Sequence, residues 1–282
     1  MGKPNTRYQL LETKSIKVRP NVCALAVMTK APQAGDSKTR LSPPLTPAEA
    51  AELSACFLRD TCNNITRICL DGSADGIAVY TPLGAEDLFD GLLPGSFGLL
   101  GQRGRSFGDR LFHAAKDLLS LGYDSLCLID SDSPTLPAEF LRAAVSALAR
   151  AGDRVVLGPA RDGGYYLIGV KQAHPNLFAD IDWSTSRVLR QTIARAKESR
   201  LPVTVLPSWF DVDDAETLRQ LCKQLFLENN KPAIPSAAIP YLAPHTRNYL
   251  ARLLATDVSR QRLSKHLAGF GKLAWSGAED AT

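Results

Sequence analysis

Between residues 22 and 227 the chain alternates short apolar runs with amphipathic stretches. Residues 22–28 (VCALAVM) are apolar throughout and end in a loop carrying Pro and Gly, which predicts a strand buried on both faces of a sheet. Residues 76–81, 125–129, 154–157, 165–170 and 202–206 predict further strands. Thr46, Pro47 and Glu49 supply an N-cap, a proline at the first helical position and the glutamate of a capping box. A helix is therefore expected to run to about residue 63, with Ala50, Leu53, Phe57 and Leu58 on one face. Helical spacing recurs at 107–121, 137–149, 186–197 and 215–227. Strands alternating with helices predict a wound α/β layer structure.

Three regions follow. Residues 1–20 are polar and mixed and read as a flexible leader. Residues 21–229 form the alternating domain, and residues 230–282 read as a Pro-rich loop (Pro232, Pro235, Pro240, Pro244) and a helical tail packed on that domain. One or two helices are expected within 246–268. No internal repeat is visible.

Composition narrows the class. Hydrophobic residues are 45% and charged residues 22%, enough apolar surface for a core and too little charge for a disordered chain. No window approaches the roughly 18 apolar residues of a spanning helix. A net charge of +4 on 282 residues, with no basic run interleaved with aromatics, argues against a nucleic-acid partner. The six cysteines form no CxxC pair, and no His stands at zinc-finger spacing from them, so buried free thiols are expected. The start of the chain lacks a signal-peptide apolar region. Met1-Gly2 with Thr6 fits the loose myristoylation pattern, but a disordered polar leader is the preferred reading. A reducing cytoplasm is the expected location.

Four segments carry candidate chemistry. After the opening strand, Lys30, Gly35, Lys38 and Arg40 lie in one glycine-containing loop. Such a loop can cradle phosphate with backbone N–H groups and two cations, or be a solvated cationic turn. It matches neither the P-loop nor the dinucleotide fingerprint. Next, the 125–129 strand runs into Asp130-Ser131-Asp132-Ser133-Pro134. Residues two apart on extended chain point the same way, so Asp130 and Asp132 could share Mg²⁺ or Mn²⁺. The alternative is a turn capping the helix near Pro137. The Asp-x-Asp-x-Thr signature of haloacid-dehalogenase-type phosphatases is not met, because the fifth position is Pro134. Third, Asp162 precedes Gly163 and Gly164, which permit either close approach to a ligand or an ordinary turn. Last, in Asp211-Val212-Asp213-Asp214, Asp213 or Asp214 could cap the following helix or complete a metal site.

Taken in order, Lys38-Thr39-Arg40-Leu41, Asp130-Ser131-Asp132-Ser133-Pro134, the stretch from Gly158-Pro159 to Gly169, Trp183-Ser184-Thr185 and Asp211-Val212-Asp213 resemble a family of bacterial GT-A-type nucleotide-diphospho-sugar transferases. The family includes arsenosugar-biosynthesis-type glycosyltransferases. Its neighbours include 2-phospho-lactate and molybdenum cofactor guanylyltransferases. The resemblance covers roughly residues 22–228, and residues 244–247 resemble a C-terminal element of some members. One departure is the presence of Arg105 and Ser106 where many members carry an acidic residue.

The resemblance implies a three-layer α/β/α sandwich around a mixed, mostly parallel sheet, with a C-terminal helical extension. It implies a metal-dependent glycosyltransferase moving a sugar from a nucleotide-diphosphate-sugar to a small-molecule acceptor. Asp130, Asp132 and Asp213 would hold Mg²⁺ or Mn²⁺, while Lys30, Gly35, Lys38 and Arg40 meet the diphosphate. Asp162 and Asp213 are the candidates for catalytic base. Gly163, Gly164, Trp183, Ser184 and Thr185 would line the sugar or acceptor pocket. The alternatives are nucleotidyl transfer from a nucleoside triphosphate with release of pyrophosphate, and a non-catalytic nucleotide-binding protein.

Overall fold

In a computed structural model, the structure describes residue 18 and residues 21–227 and 238–266. The rest of the leader, and Pro232 and Pro235 of the proline loop, lie outside the described residues.

Seven strands form one sheet: β1 (Cys23–Lys30), β2 (Ala74–Thr81), β3 (Gly98–Gly101), β4 (Ser125–Ile129), β5 (Val155–Pro159), β6 (Tyr165–Val170) and β7 (Val203–Val205). Their order is β3-β2-β1-β4-β6-β5-β7. The β1–β2, β2–β3, β1–β4 and β5–β7 pairings are parallel, whereas β6 runs antiparallel to β4 and β5. The mixed, mostly parallel sheet expected from the family resemblance is thus present.

The helices are α1 (Pro47–Cys69), α2 (Phe107–Ser120), α3 (Ala138–Leu148), α4 (Val188–Glu198), α5 (Ala215–Phe226), α6 (Pro244–Ala255) and α7 (Asp257–His266). Side chains alternate across the sheet as the strand period of two requires. Cys23, Leu25 and Val27 of β1 meet Leu58, Cys62 and Ile65 of α1 and Phe140 and Leu141 of α3 on one face. Ala24 and Ala26 meet Leu111, Ala114, Ala115 and Leu118 of α2, with Ala196 of α4, on the other. This is why β1 reads as a continuous apolar run. A third cluster joins Leu53 and Phe57 of α1 to Leu218 and Leu221 of α5, Leu250 and Leu254 of α6 and Leu263 of α7.

The capping box at Thr46 forms with both arms, Glu49 N–H to Thr46 Oγ1 at 3.2 Å and Thr46 N–H to Glu49 Oε2 at 2.8 Å. The helix runs on to Cys69, six residues past its expected end near 63, because Ile65 and Ile68 continue its buried stripe. Strand β3 was not visible in the sequence. Its four residues, Gly-Leu-Leu-Gly, have glycines of low strand propensity at both ends, and β2 imposes the strand by pairing Ile77 with Gly98 through Tyr80 with Gly101. Two helices, α6 and α7, occupy most of the 246–268 stretch. Among the described residues the cysteines form no disulfide, and five of the six are buried. Among the described residues no helix is long and apolar enough to cross a membrane.

Candidate active site

Parallel strands bring their carboxyl ends to one edge, and β6, running the other way, brings its start there. A cavity of about 570 Å³ opens at this edge, bounded by the ends of β1 and β4, the start of β6 and the first turn of α2. Of the residues singled out in the sequence, Lys30, Lys38, Arg40, Asp130, Asp132, Asp162, Gly164, Trp183, Ser184, Thr185 and Asp213 all line it. Gly35 and Gly163 shape the adjoining loops and do not line the wall.

Lys38 is held by two carboxylates and a backbone carbonyl. Its side chain is only 7% exposed, and its Nζ lies 2.8 Å from Asp132 Oδ1 and 2.7 Å from Asp213 Oδ1, while also donating to Val212 O at 2.8 Å. Burial alone would lower its pKa, but the two carboxylates outweigh burial and raise it, so the ammonium is a fixed charge. Arg40 remains extended toward solvent, with its Nη1 3.9 Å from Asp213 Oδ2. Lys30 is half exposed and 3.7 Å from Asp36 Oδ1.

Asp130 accepts from Ser133 Oγ at 3.0 Å and from the Asp132 N–H at 3.3 Å. Desolvation at the cavity floor, reinforced by the Asp132 and Asp211 carboxylates, holds its pKa well above the usual range. Negative charge is therefore crowded here beyond what Lys38 offsets. Hard carboxylate oxygens with uncompensated charge suit a divalent cation in donor type, so Asp130 and Asp132 fit one. Asp213, the third carboxylate expected there, stands at the same wall, with its Oδ1 bound by Lys38 as Asp132 Oδ1 is. Among the described residues no three His, Cys, Asp or Glu side chains gather as a cation site.

Asp214, not Asp213, caps α5. Its Oδ1 accepts the Thr217 N–H at 2.8 Å, leaving Asp213 to the cavity. Asp211, two residues before Asp213, also lines the wall. Desolvation and the nearby Asp162 and Asp213 carboxylates push its pKa up to about 6. It was missed as a site residue, although its same-face spacing with Asp213 was readable by the rule applied to Asp130 and Asp132.

The opposite wall is aromatic. Trp183 meets Phe107 edge-on at 5.1 Å between ring centroids and Tyr165 at 6.5 Å. The indole fits because residue 108 is glycine, where a Cβ would stand 2.7 Å from Trp183 Nε1. Gly163, at φ +94°, holds the loop after Trp183 by a bond from the Leu189 N–H to its carbonyl at 2.9 Å. Its own missing Cβ would stand 2.4 Å from Ser186 O. Asp162 Oδ1 accepts the Gly164 N–H at 2.8 Å, fixing the same turn. Arg110, Phe107 and Gln102 also line the cavity and were not singled out. Arg110 and Phe107 read in sequence as part of an ordinary amphipathic helix.

Residues 65–185 match the DUF2064 family model, described as an uncharacterized protein conserved in bacteria. No curated protein matches the chain. Among solved structures, a Desulfovibrio desulfuricans G20 protein, provisionally named a nucleotide-diphospho-sugar transferase, superposes with a TM-score of 0.70 at 29% identity, covering 86% of this chain and 99% of that one. The chain has the nucleotide-diphospho-sugar transferase-like fold. A 4-diphosphocytidyl-2C-methyl-D-erythritol synthase from Anaerococcus prevotii DSM 20548 is far more distant, with a TM-score of 0.45 at 11% identity over 70% of this chain and 95% of that one.

Proposed function

We propose that the chain is a transferase that moves a sugar from a nucleotide-diphosphate-sugar to a small-molecule acceptor. One observation carries this reading. A single cavity at the carboxyl edge of the sheet joins the cationic β1 loop, the Asp130–Asp132 pair and an aromatic wall. Its volume is in the range of pockets that hold small ligands. The likeness to the Desulfovibrio protein supports the same class.

In this reading Asp130 and Asp132 hold Mg²⁺ or Mn²⁺, which supplies charge stabilisation at the donor diphosphate. Arg40 and Lys30 approach the phosphates from the β1 loop, where side chains open to solvent can turn toward an incoming anion. Lys38 keeps Asp132 and Asp213 in register beneath them. Sugar transfer also needs a carboxylate to take the proton of the acceptor hydroxyl. Asp162 and Asp213 stand at the wall for this task, and Asp211 joins them with a pKa matched to work near neutrality. Trp183, Ser184 and Thr185 face the sugar or acceptor.

A thermal-shift panel of nucleoside diphosphates, nucleotide sugars and nucleoside triphosphates, each with Mg²⁺ or Mn²⁺, followed by product analysis, tests the reading. Release of nucleoside diphosphate with a glycosylated product supports it. Release of pyrophosphate replaces it with nucleotidyl transfer, and stabilisation without any product replaces it with simple nucleotide binding.

A further inference from the structure

We propose that the corner formed by Phe107, Arg110 and Trp183 is the acceptor subsite, and that it selects an acceptor carrying a carboxylate or phosphate beside an apolar face. The proposal rests on the transferase reading and names the substrate class for one end of its cavity.

Charge is segregated within the cavity. The aspartates crowd around Lys38, whereas Arg110 has no acidic partner among the described residues. Its guanidinium lies over the Phe107 ring, 5.6 Å from the centroid, and its Nε is buried and donates to nothing. The neighbouring Asp109 cannot neutralise it, because that carboxylate is engaged by the N–H groups of Arg105 and Ser106 in the α2 capping box. Arg110 also sits in the first turn of α2, where the helix dipole disfavours a cation. A buried, unpaired donor and a cation at the wrong helix end are both unfavourable. An anion entering the cavity beside the guanidinium offsets the misplaced charge and meets the positive end of the helix as well.

The apolar half of the specificity comes from the rings. Phe107 is 42% exposed although it opens a helix whose other apolar residues are mostly buried. Trp183 stands edge-on to it, fixed by contact with Gly108. The pair leaves a rigid apolar surface directly beside the guanidinium. Such a surface holds a flat or aliphatic body while the arginine fork takes the anion.

Titration calorimetry with phenyl phosphate, benzoate and phenol tests this. Phenyl phosphate reads the phosphate arm, benzoate the carboxylate arm, and phenol the apolar face alone. At least one anion is expected to bind the wild type tenfold or more tighter than phenol. Arg110→Gln is expected to erase about tenfold of that preference, the scale of a charge-assisted pair, and Arg110→Lys part of it. Affinity for a nucleoside diphosphate with Mg²⁺ is expected to stay unchanged in both variants. Equal binding of phenol and both anions would overturn the proposal, as would an Arg110→Gln variant that binds the anions normally. Equal weakening of anion and nucleoside diphosphate would assign Arg110 to the donor and overturn it too. Failure of the wild type to bind any nucleoside diphosphate is the separate result that ends the transferase reading itself.

Discussion

The Lys38 ammonium lies 2.8 Å from Asp132 Oδ1, so an ion pair inside the cavity ties the loop after β1 to the end of β4. The same nitrogen reaches Asp213, from the far end of the domain. One buried cation thus holds two carboxylates that would otherwise repel. Lys38→Met should destabilise the fold by on the order of 1–2 kcal/mol, less than a fully buried pair because both carboxylates stay about a third or more open to water. Thermal unfolding measures the loss. Saturating Mg²⁺ should recover part of it, since the vacated carboxylates then gain a different cation. A variant as stable as the wild type, or one indifferent to Mg²⁺, would show that the pair contributes little.

Asp132→Asn and Asp130→Asn should each abolish measurable Mn²⁺ binding and lower transfer by at least about a hundredfold, as expected when a hard cation loses one of two charged ligands. Electron paramagnetic resonance of free Mn²⁺ reads the first effect independently of turnover. Full turnover in the Asp132→Asn variant would remove the metal from the mechanism.

The layers of this fold were legible because β1 and β4 are apolar on both faces and because Thr46, Pro47 and Glu49 mark a helix start without reference to the rest of the chain. What escaped was set by contacts between distant segments. Gly98–Gly101 is a strand because β2 is beside it. The ion pairs of Lys38 with Asp132 and Asp213 could not be read from the loop, because spacing cannot report a partner 175 residues away. Asp213 and Asp214 are alike in sequence, and only the geometry of α5 decides that Asp214 caps it. Asp211 needed no such help, since its spacing from Asp213 repeats the pattern that drew attention to Asp130 and Asp132.

Gly163→Ala should act on the acceptor wall from outside it. The residue has φ +94°, and a Cβ would stand 2.4 Å from Ser186 O and 2.6 Å from Ser186 Cα. Backbone cannot yield as a flexible side chain does, so the 183–186 loop must shift. A cost above about 1 kcal/mol is expected from the positive φ and the clash together. Acceptor KM should rise while the nucleoside diphosphate affinity is retained, because among the described residues the hydrogen bonds of Gly163 and Gly164 run to Leu189 and within the turn itself rather than to the donor loop or the Asp130–Asp132 pair. Steady-state kinetics varying donor and acceptor separately distinguish this from a general loss of folding, which would lower kcat for both.

Asp60 provides a pH-dependent test of how the tail docks. Its carboxylate has no exposure and accepts the N–H groups of His245 at 3.1 Å and Thr246 at 2.7 Å, joining α1 to the start of α6. Desolvation raises its pKa, although the two N–H bonds and the proximity of His245 pull the other way. An acid with a raised native pKa binds its proton more tightly folded than unfolded. Its contribution to stability is therefore fully present below the ordinary carboxylate value of about 4 and is lost as pH rises through the elevated native value. Of the other titratable groups close by, Tyr241 and Cys56 are themselves raised, Cys56 to about 12, and so stay neutral across that interval, while the His245 ring remains beside residue 60. Other carboxylates, such as Glu49 with its lowered pKa, slope the opposite way, so the raw stability curve of the wild type mixes both signs. The difference between the wild type and Asp60→Asn reads this group together with its charge interaction with His245. The wild type should hold its greatest advantage in Tm near pH 4 and lose ground steadily as pH increases. A difference that is flat, or that grows toward neutral pH, would mean that the ionised carboxylate is the better cap for α6 and that the N–H bonds outweigh burial.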